Sequence, residues 1–203
     1  MMGSIQDQRN NKKVFWKTVS AFFLSHIGGL LIANIFCFGL SSLFSGYGYL
    51  AVIPAILLLY SYPVYSTMWN AGHRDVNAAQ FGHMSLNRFR GVWYSLAGSL
   101  PIIVISVGFV LSKFGLLFNF VIPYKLLNAE IWPIINVLND TVFLPDFAVW
   151  QIFLIAFLSV AAPVLIGEIG YVAGSYDFSI KQKLIYKNKK QKRKNRMQHR
   201  CVL

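Results

Sequence analysis

The chain has 203 residues, of which 56% are hydrophobic, 16% aromatic and only 13% charged, and its formal net charge is +12. A soluble domain carries about 25% charged residues, so this composition excludes an ordinary water-soluble protein. The apolar residues fall in long runs, and a run of about 20 is what a helix needs to span a bilayer. The composition therefore predicts an all-α integral membrane protein.

Four apolar segments are long enough to span a membrane, and they predict four transmembrane helices in two hairpins. The predicted spans are residues 18–43, 49–69, 92–115 and 148–173. Residues 70–91 form a polar loop between the two hairpins, and residues 116–147 form the segment between the third and fourth spans. A polar lead, residues 1–17, precedes this membrane domain of residues 18–173, and a polybasic tail, residues 174–203, follows it.

Basic residues lie mostly on one side of the predicted bundle. Four Lys or Arg precede the first span, three lie in the loop 70–91 and ten follow the fourth span, whereas only Lys113 and Lys125 fall on the other side. Loops rich in Lys and Arg stay in the cytosol. We therefore predict a multi-pass protein of the cell membrane with both termini and the loop 70–91 in the cytosol.

The first span carries a stripe of small and weakly polar residues. His26, Gly29, Ala33 and Cys37 share one helix face, with Asn34 beside them. Small residues let membrane helices approach closely. This face is expected to pack against another helix, a protein partner or a second copy of the chain, and His26 and Asn34 are candidate intramembrane polar residues.

The second span has three tyrosines near its predicted cytosolic end, Tyr60, Tyr62 and Tyr65. Tyrosine rings are enriched where a helix meets the membrane surface, so anchoring and helix packing explain them. A tyrosine-lined ligand cleft is the alternative.

The loop 70–91 holds the polar candidates His73, Arg74, Asp75 and His83. Asp75 and Ser85 are each placed to cap a short helix. Two isolated histidines in a solvated loop are more often simply polar than metal ligands. The sequence therefore predicts no metal site and no cofactor.

Two further small-residue faces lie on the third and fourth spans. Gly91, Ser95 and Ser99 recur at four-residue spacing, and Gly170 and Gly174 form a GxxxG pair. Both patterns are typical of closely packed membrane helices.

The segment 116–147 has apolar residues at helical period, namely Leu127, Ile131, Ile134, Ile135 and Leu138. The polar residues set against these apolar ones are Lys125, Asn128, Asn136 and Asp140. This pattern predicts an amphipathic helix in the outer membrane interface. A re-entrant segment is the alternative, and it requires those polar residues to be buried by protein.

Glu168 is the one carboxylate within a predicted span, at nearly the depth of His26. Ionisable groups inside spans are costly and often mark a transport pathway. The simpler explanation is a buried hydrogen-bonded pair of His26 and Glu168 that holds the helices together.

Three functions remain open at this point. The sequence lacks the HExxH and GxSxG motifs of membrane hydrolases, and it favours a non-enzymatic subunit or scaffold of a membrane complex. A small channel or transporter using Glu168 and His26 is the first alternative. An enzyme with a site near His73, Asp75 and Glu168 is the second.

The polybasic tail is predicted to contact anionic phospholipid headgroups. It begins a few residues after the fourth span, so the inner leaflet is the nearest polyanion. Nucleic acid is disfavoured because the basic run has no aromatic residue to stack on bases. The lipid-binding candidates are Lys187, Lys189, Lys190, Lys192, Arg193, Lys194, Arg196 and Arg200.

Overall fold

The computed structural model describes residues 2–41, 49–82, 84–85, 87–139 and 141–176, and this part of the chain is helical and has no strand. A short 3-10 helix, Leu144–Asp146, precedes the last helix. The α-helices of this described part are α1 Met2–Ser41, α2 Tyr49–Gln80, α3 Arg90–Gly98, α4 Leu100–Lys113, α5 Val121–Leu127, α6 Trp132–Leu138 and α7 Val149–Ser175.

Within the described residues, three helices are long and apolar enough to cross a membrane, and a fourth crossing exists if the bent pair α3 and α4 is one span. The three stretches are Lys12–Gly39 of α1, Val52–Gln80 of α2 and Val149–Ser175 of α7. Large apolar side chains cover their outward surfaces, as in Ile35 at 71% exposure and Phe157 at 67%. Such an apolar surface fits a bilayer. A bilayer also requires that backbone N–H and C=O groups form their hydrogen bonds within helices, as they do here.

The third predicted span is broken at Ser99, where α3 and α4 meet at 57°. Pro101 lies at the start of α4. Proline lacks an N–H and its ring collides with the carbonyl four residues earlier, so the helix in front of it cannot continue straight. The bend therefore follows from the position of Pro101.

The bundle has two ends, which we name after the carboxylates buried there. At the Asp75 end, the chain passes from α2 to α3, and α7 ends there too. At the Glu130 end, α5 and α6 lie against the long helices. α2 runs antiparallel to α1 and parallel to α7, and its contact with α7 is the most extensive in the described chain. Hydrophobic clusters fill both ends of the bundle.

The predicted small-residue faces lie at close contacts between helices. A Cβ atom at Gly174 would overlap the backbone of Trp69 in α2, and one at Gly170 would lie 2.7 Å from the carbonyl oxygen of Tyr65. A Cβ at Gly167 would overlap Ser95 of α3. On α1, a Cβ at Gly29 would come within 3.0 Å of Tyr60. These contacts confirm that the small residues let the helices touch.

The loop predicted over residues 70–91 is largely helix. α2 continues to Gln80 and ends before Gly82, whose φ of 73° favours glycine. Asp75 is thus a buried residue inside α2, and the prediction that it caps a helix is wrong. The same prediction for Ser85 is also wrong, since α3 begins at Arg90 after Phe89 and has no side-chain cap.

The segment 116–147 contains two short helices, α5 and α6, with a turn at residues 128–131 between them. Lys125, Asn128 and Asn136, which the pattern predicts on the polar side, are buried by the protein at 6%, 0% and 7% exposure. Asp140 lies outside the described residues. The polar side of this segment therefore faces the other helices.

Candidate functional site

Asp75 is the centre of a polar cluster that joins three helices. Arg74 donates to Asp75 Oδ1 from Nε at 3.1 Å and from Nη2 at 2.7 Å. The phenols of Tyr94 in α3 and Tyr171 in α7 donate to Asp75 Oδ2 at 3.1 and 3.2 Å. Arg90 Nε lies 3.8 Å from the same oxygen. Both oxygens of this buried carboxylate are therefore occupied, and its charge is balanced.

Thr18 extends the cluster to α1. Arg74 Nη2 donates to Thr18 Oγ1 at 3.0 Å, while the Thr18 hydroxyl donates to the carbonyl of Val14 at 2.8 Å. One guanidinium thus bridges the carboxylate of α2 and a hydroxyl of α1. The cluster connects every long helix that reaches this end of the bundle.

Of the two histidine candidates in residues 70–91, the structure describes His73. The His73 ring stacks on Trp69, with centroids 5.3 Å apart and planes 6° apart. His83 lies outside the described residues. In the residues that the structure describes, no three His, Cys, Asp or Glu side chains come together to hold a metal ion.

His26 pairs with Tyr60 and not with Glu168. His26 Nδ1 lies 2.5 Å from the Tyr60 hydroxyl, and both residues are buried. His26 Nε2 and Glu168 Oε2 each have no partner. The predicted pair does not form: His26 Nδ1 contacts Tyr60, and Glu168 lies beside Gly91 near the backbone N–H of Val92.

The three tyrosines of α2 do not line a common cleft. Tyr60 is fully buried, whereas Tyr62 is 72% exposed. Successive helical positions point in different directions, so only one of this pair can face the bundle. A ligand cleft lined by all three tyrosines is therefore not formed.

Glu130 is a buried carboxylate that sequence reasoning missed. It lies in the turn between α5 and α6, is 1% exposed, and neither of its oxygens has a hydrogen-bond partner. Burial raises the pKa of Glu130 to about 8. The available signal was its position between the apolar residues Ala129 and Ile131.

α1 holds this turn in place through two side chains. Asn34 Nδ2 donates to the carbonyl of Leu126 at 2.9 Å, and Cys37 Sγ donates to the carbonyl of Ala129 at 3.5 Å. Asn34 thus contacts the loop segment instead of a second spanning helix. The turn carrying Glu130 is fixed against the far half of the small-residue face of α1.

Three hydroxyl groups form a second polar cluster near the Glu130 end. Ser106 of α4, Tyr124 of α5 and Ser159 of α7 form a triangle with oxygen separations of 3.2, 2.9 and 2.7 Å. Each hydroxyl can donate one hydrogen bond and accept others, so the group satisfies itself. It fastens the short helix α5 to two long helices.

The chain has no recognisable relative in the comparisons: no family model matches it, and neither a curated protein nor a solved structure is similar to it.

Proposed function

We propose that this chain is a non-enzymatic integral membrane protein that acts as a subunit or scaffold of a membrane complex. The observation that carries the proposal is the Asp75 cluster. Four side chains from α2, α3 and α7 occupy one carboxylate, and Arg74 continues to α1. A carboxylate held in this way serves to fix helix positions, as buried polar networks with every member satisfied do.

The same geometry disfavours an enzyme at this end of the bundle. An acid or base must reach its substrate within hydrogen-bond distance. Asp75 is enclosed by Arg74, Tyr94 and Tyr171, and Glu168 lies by Gly91 in a groove whose lining is otherwise almost wholly apolar. Both oxygens of Asp75 are therefore already engaged by protein side chains and are not offered to a substrate.

The proposed topology has four spans, with α3 and α4 together forming the third. Both termini and the turn after α2 lie in the cytosol of a cell-membrane protein, and α5 and α6 lie on the outer side. The supports are the apolar helices and the distribution of basic residues.

A partner subunit or a second copy would meet the exposed apolar surface instead of the small-residue faces. Gly29, Gly167, Gly170 and Gly174 are already used within the chain. Exposed residues such as Leu58, at 69%, cover the outward sides of the long helices. These surfaces can face either lipid or the helix of a neighbour.

The basic residues of the tail, which lie outside the described residues, are proposed to bind anionic phospholipid headgroups. They follow α7 in the sequence, on the side of the bundle proposed to face the cytosol. Each Lys or Arg near such a surface contributes about 1 kcal/mol, and the attraction decays over roughly 8 Å at physiological salt.

Native mass spectrometry of the protein extracted in a mild detergent tests both parts of the proposal. We expect a complex of defined stoichiometry, heavier than one chain, that retains anionic phospholipid. Changing the eight tail residues named above to glutamine should remove the lipid and leave the stoichiometry unchanged. A lone chain at every detergent condition would contradict the subunit role, and lipid retention by the glutamine variant would contradict the role of the tail.

A small transporter is the second candidate, and Glu130 favours it. A buried ionisable group without a partner is expensive to keep in a membrane protein and often marks a transport pathway. His26 Nε2 is a second buried polar atom without a partner. Cation-dependent flux in liposomes that is lost in Glu130→Gln would favour transport over the scaffold.

A further inference from the structure

The Asp75 end carries more positive charge than its own carboxylates balance. Asp75 lies 2.7 Å from Nη2 of Arg74 and 3.8 Å from Nε of Arg90, so one carboxylate serves two guanidinium groups. Among the side chains that the structure describes at this end, two are acidic, Asp75 and Glu168, and six are basic. The basic ones are Lys12, Lys13, Lys17, Arg74, Arg88 and Arg90.

Contacts between three helices bring these basic residues to one surface. Thr18 of α1 accepts a hydrogen bond from Arg74 of α2 at 3.0 Å. Phe15 of α1 lies against Tyr94 of α3, with ring centroids 5.2 Å apart, and the Arg90 guanidinium lies 5.6 Å from the centre of the Tyr94 ring. The exposed lysines of α1, the last of which directly precedes Thr18, are therefore next to the two arginines.

The connection from α2 to α3 adds exposed aromatic side chains to this surface. Phe81 is 77% exposed and Phe89 is 70% exposed. Arg88 is also exposed, and its guanidinium lies 5.9 Å from the centre of the Tyr176 ring at the end of α7. Arginine and phenylalanine are both enriched where proteins bind each other. The surface thus combines charge with apolar area.

The far end of α2 lies beyond the lipid headgroups in the proposed topology. A Cβ at Gly72 would lie 3.0 Å from the backbone nitrogen of Ser175, so α7 ends level with Gly72. α2 continues for eight residues to Gln80, which is about 12 Å at 1.5 Å per residue. A headgroup layer is only about 5 to 8 Å thick. Phe81 therefore faces the cytosol and not the acyl chains.

We propose that the Asp75 end is the docking surface for an acidic cytosolic segment of the partner subunit. Carboxylates of that segment pair with the basic side chains, as acidic motifs do with arginine clusters, and its apolar side chains pack on the two phenylalanines. The inference rests on the proposed subunit role and names the chemistry of the partner. The docking surface consists of Lys12, Lys13, Lys17, Arg74, Phe81, Arg88 and Phe89.

A second copy of the chain does not fit this surface. Apart from the buried Asp75, the segments predicted to be cytosolic carry only two carboxylates, Asp7 and Asp177, against seventeen Lys or Arg. Two copies meeting at this end would place like charges opposite each other, which opposes association. The occupant is therefore a different polypeptide that supplies negative charge.

The first test measures how much partner remains bound to variants of the full-length protein, by native mass spectrometry of the complex in mild detergent. Phe81→Ala combined with Phe89→Ala should lower the amount of partner per chain at least fivefold, because the apolar contacts are lost. Lys17→Glu combined with Arg88→Glu should do the same by reversing the charge. Phe143→Ala is the matched control, since Phe143 is 62% exposed in the segment between α6 and α7, and it should keep the partner.

Two results of this test separate the inference from the role on which it rests. A complex that keeps its partner in both double variants would overturn the docking surface and leave the subunit role intact. A lone chain at every detergent condition would refute the subunit role and the inference together.

The second test uses the otherwise unchanged chain, so it does not depend on whether the double variants fold. With p-benzoylphenylalanine in place of Phe81, irradiation of cells should crosslink the polypeptide found in the complex, at a segment of net negative charge. The same photoreactive group in place of Phe143 should not label that segment. A crosslink to phospholipid, RNA, a second copy or a segment without net negative charge would overturn the proposal, as would no crosslink.

Discussion

His26 and Tyr60 are hydrogen-bond partners inside an apolar bundle, and their contact gives the buried histidine a polar partner. The separation of 2.5 Å joins α1 to α2, and a Cβ at Gly29 would come within 3.0 Å of the same tyrosine. Removing one partner leaves the other buried and unpaired, at a cost of about 1 to 3 kcal/mol. The pair therefore fixes the rotation of α1 relative to α2.

A double-mutant cycle should show this coupling. We expect His26→Ala and Tyr60→Phe to lose together about 0.5 to 3 kcal/mol less than the sum of their separate effects. His26→Ala and Glu168→Gln should instead add within about 0.5 kcal/mol, because those residues share no partner. The measurement is the free energy of unfolding in detergent. Additive effects in the first cycle, or coupling in the second, would contradict the assignment.

Residue positions of this kind were only partly predictable. His26 and Glu168 were correctly identified as polar groups in apolar helices, but the choice of Tyr60 as partner depends on how α1 and α2 are rotated. Glu130 was missed because the segment 116–147 was interpreted with its polar side toward water. Burial of that side depends on contacts with α1, about 90 residues away in sequence.

At the level of elements, the parallel contact of α2 with α7 is the most extensive in the described chain. Gly72 of α2 and Gly174 of α7 each lie against the backbone of the other helix, so that neither has room for a side chain. The hydrophobic effect does not drive two helices together inside a membrane, so dispersion and backbone contacts hold such an interface. The spacing of the glycines therefore determines how closely the helices approach.

Gly174→Ala should separate these helices. The added methyl group would overlap Trp69, and overpacking of this kind costs about 1 to 3 kcal/mol. Gly28→Ala on α1 is the matched control, because a Cβ there meets nothing within 4 Å, and it should be neutral or stabilising by up to about 1 kcal/mol. Thermal unfolding followed by size-exclusion chromatography compares the two. Equal stability of both variants would rule out close packing at Gly174.

The elements themselves were mostly predictable, because apolar runs of membrane length leave the backbone few alternatives to helix. The helical structure at the polar end of α2 was not predictable in this way. The sequence predicts a loop from Ala71 to Gln80 because this stretch includes Arg74 and Asp75. Its helical structure is stabilised by hydrogen-bond partners in α1, α3 and α7. The division of the third span was also missed, although Pro101 was its visible cause.

At the scale of the whole molecule, the proposed orientation makes one prediction. In a chain whose Cys37 and Cys201 are changed to alanine, a cysteine placed at Asn139 should react with a membrane-impermeant maleimide added from outside intact cells. A cysteine placed at Gln191 should react only after the cells are opened, because positively charged segments remain inside. Labelling of Gln191→Cys in intact cells, or of Asn139→Cys only after opening, would invert or refute the topology.

Order of synthesis gives the Asp75 cluster a further consequence. A chain emerging from the ribosome completes α2 long before α7, so Asp75 must spend that interval without Tyr171, which lies 96 residues further on. Only the arrival of the last helix closes the cluster and brings the glycines of α7 against α2. Chains that stop short of the last helix therefore carry an incompletely enclosed carboxylate at Asp75.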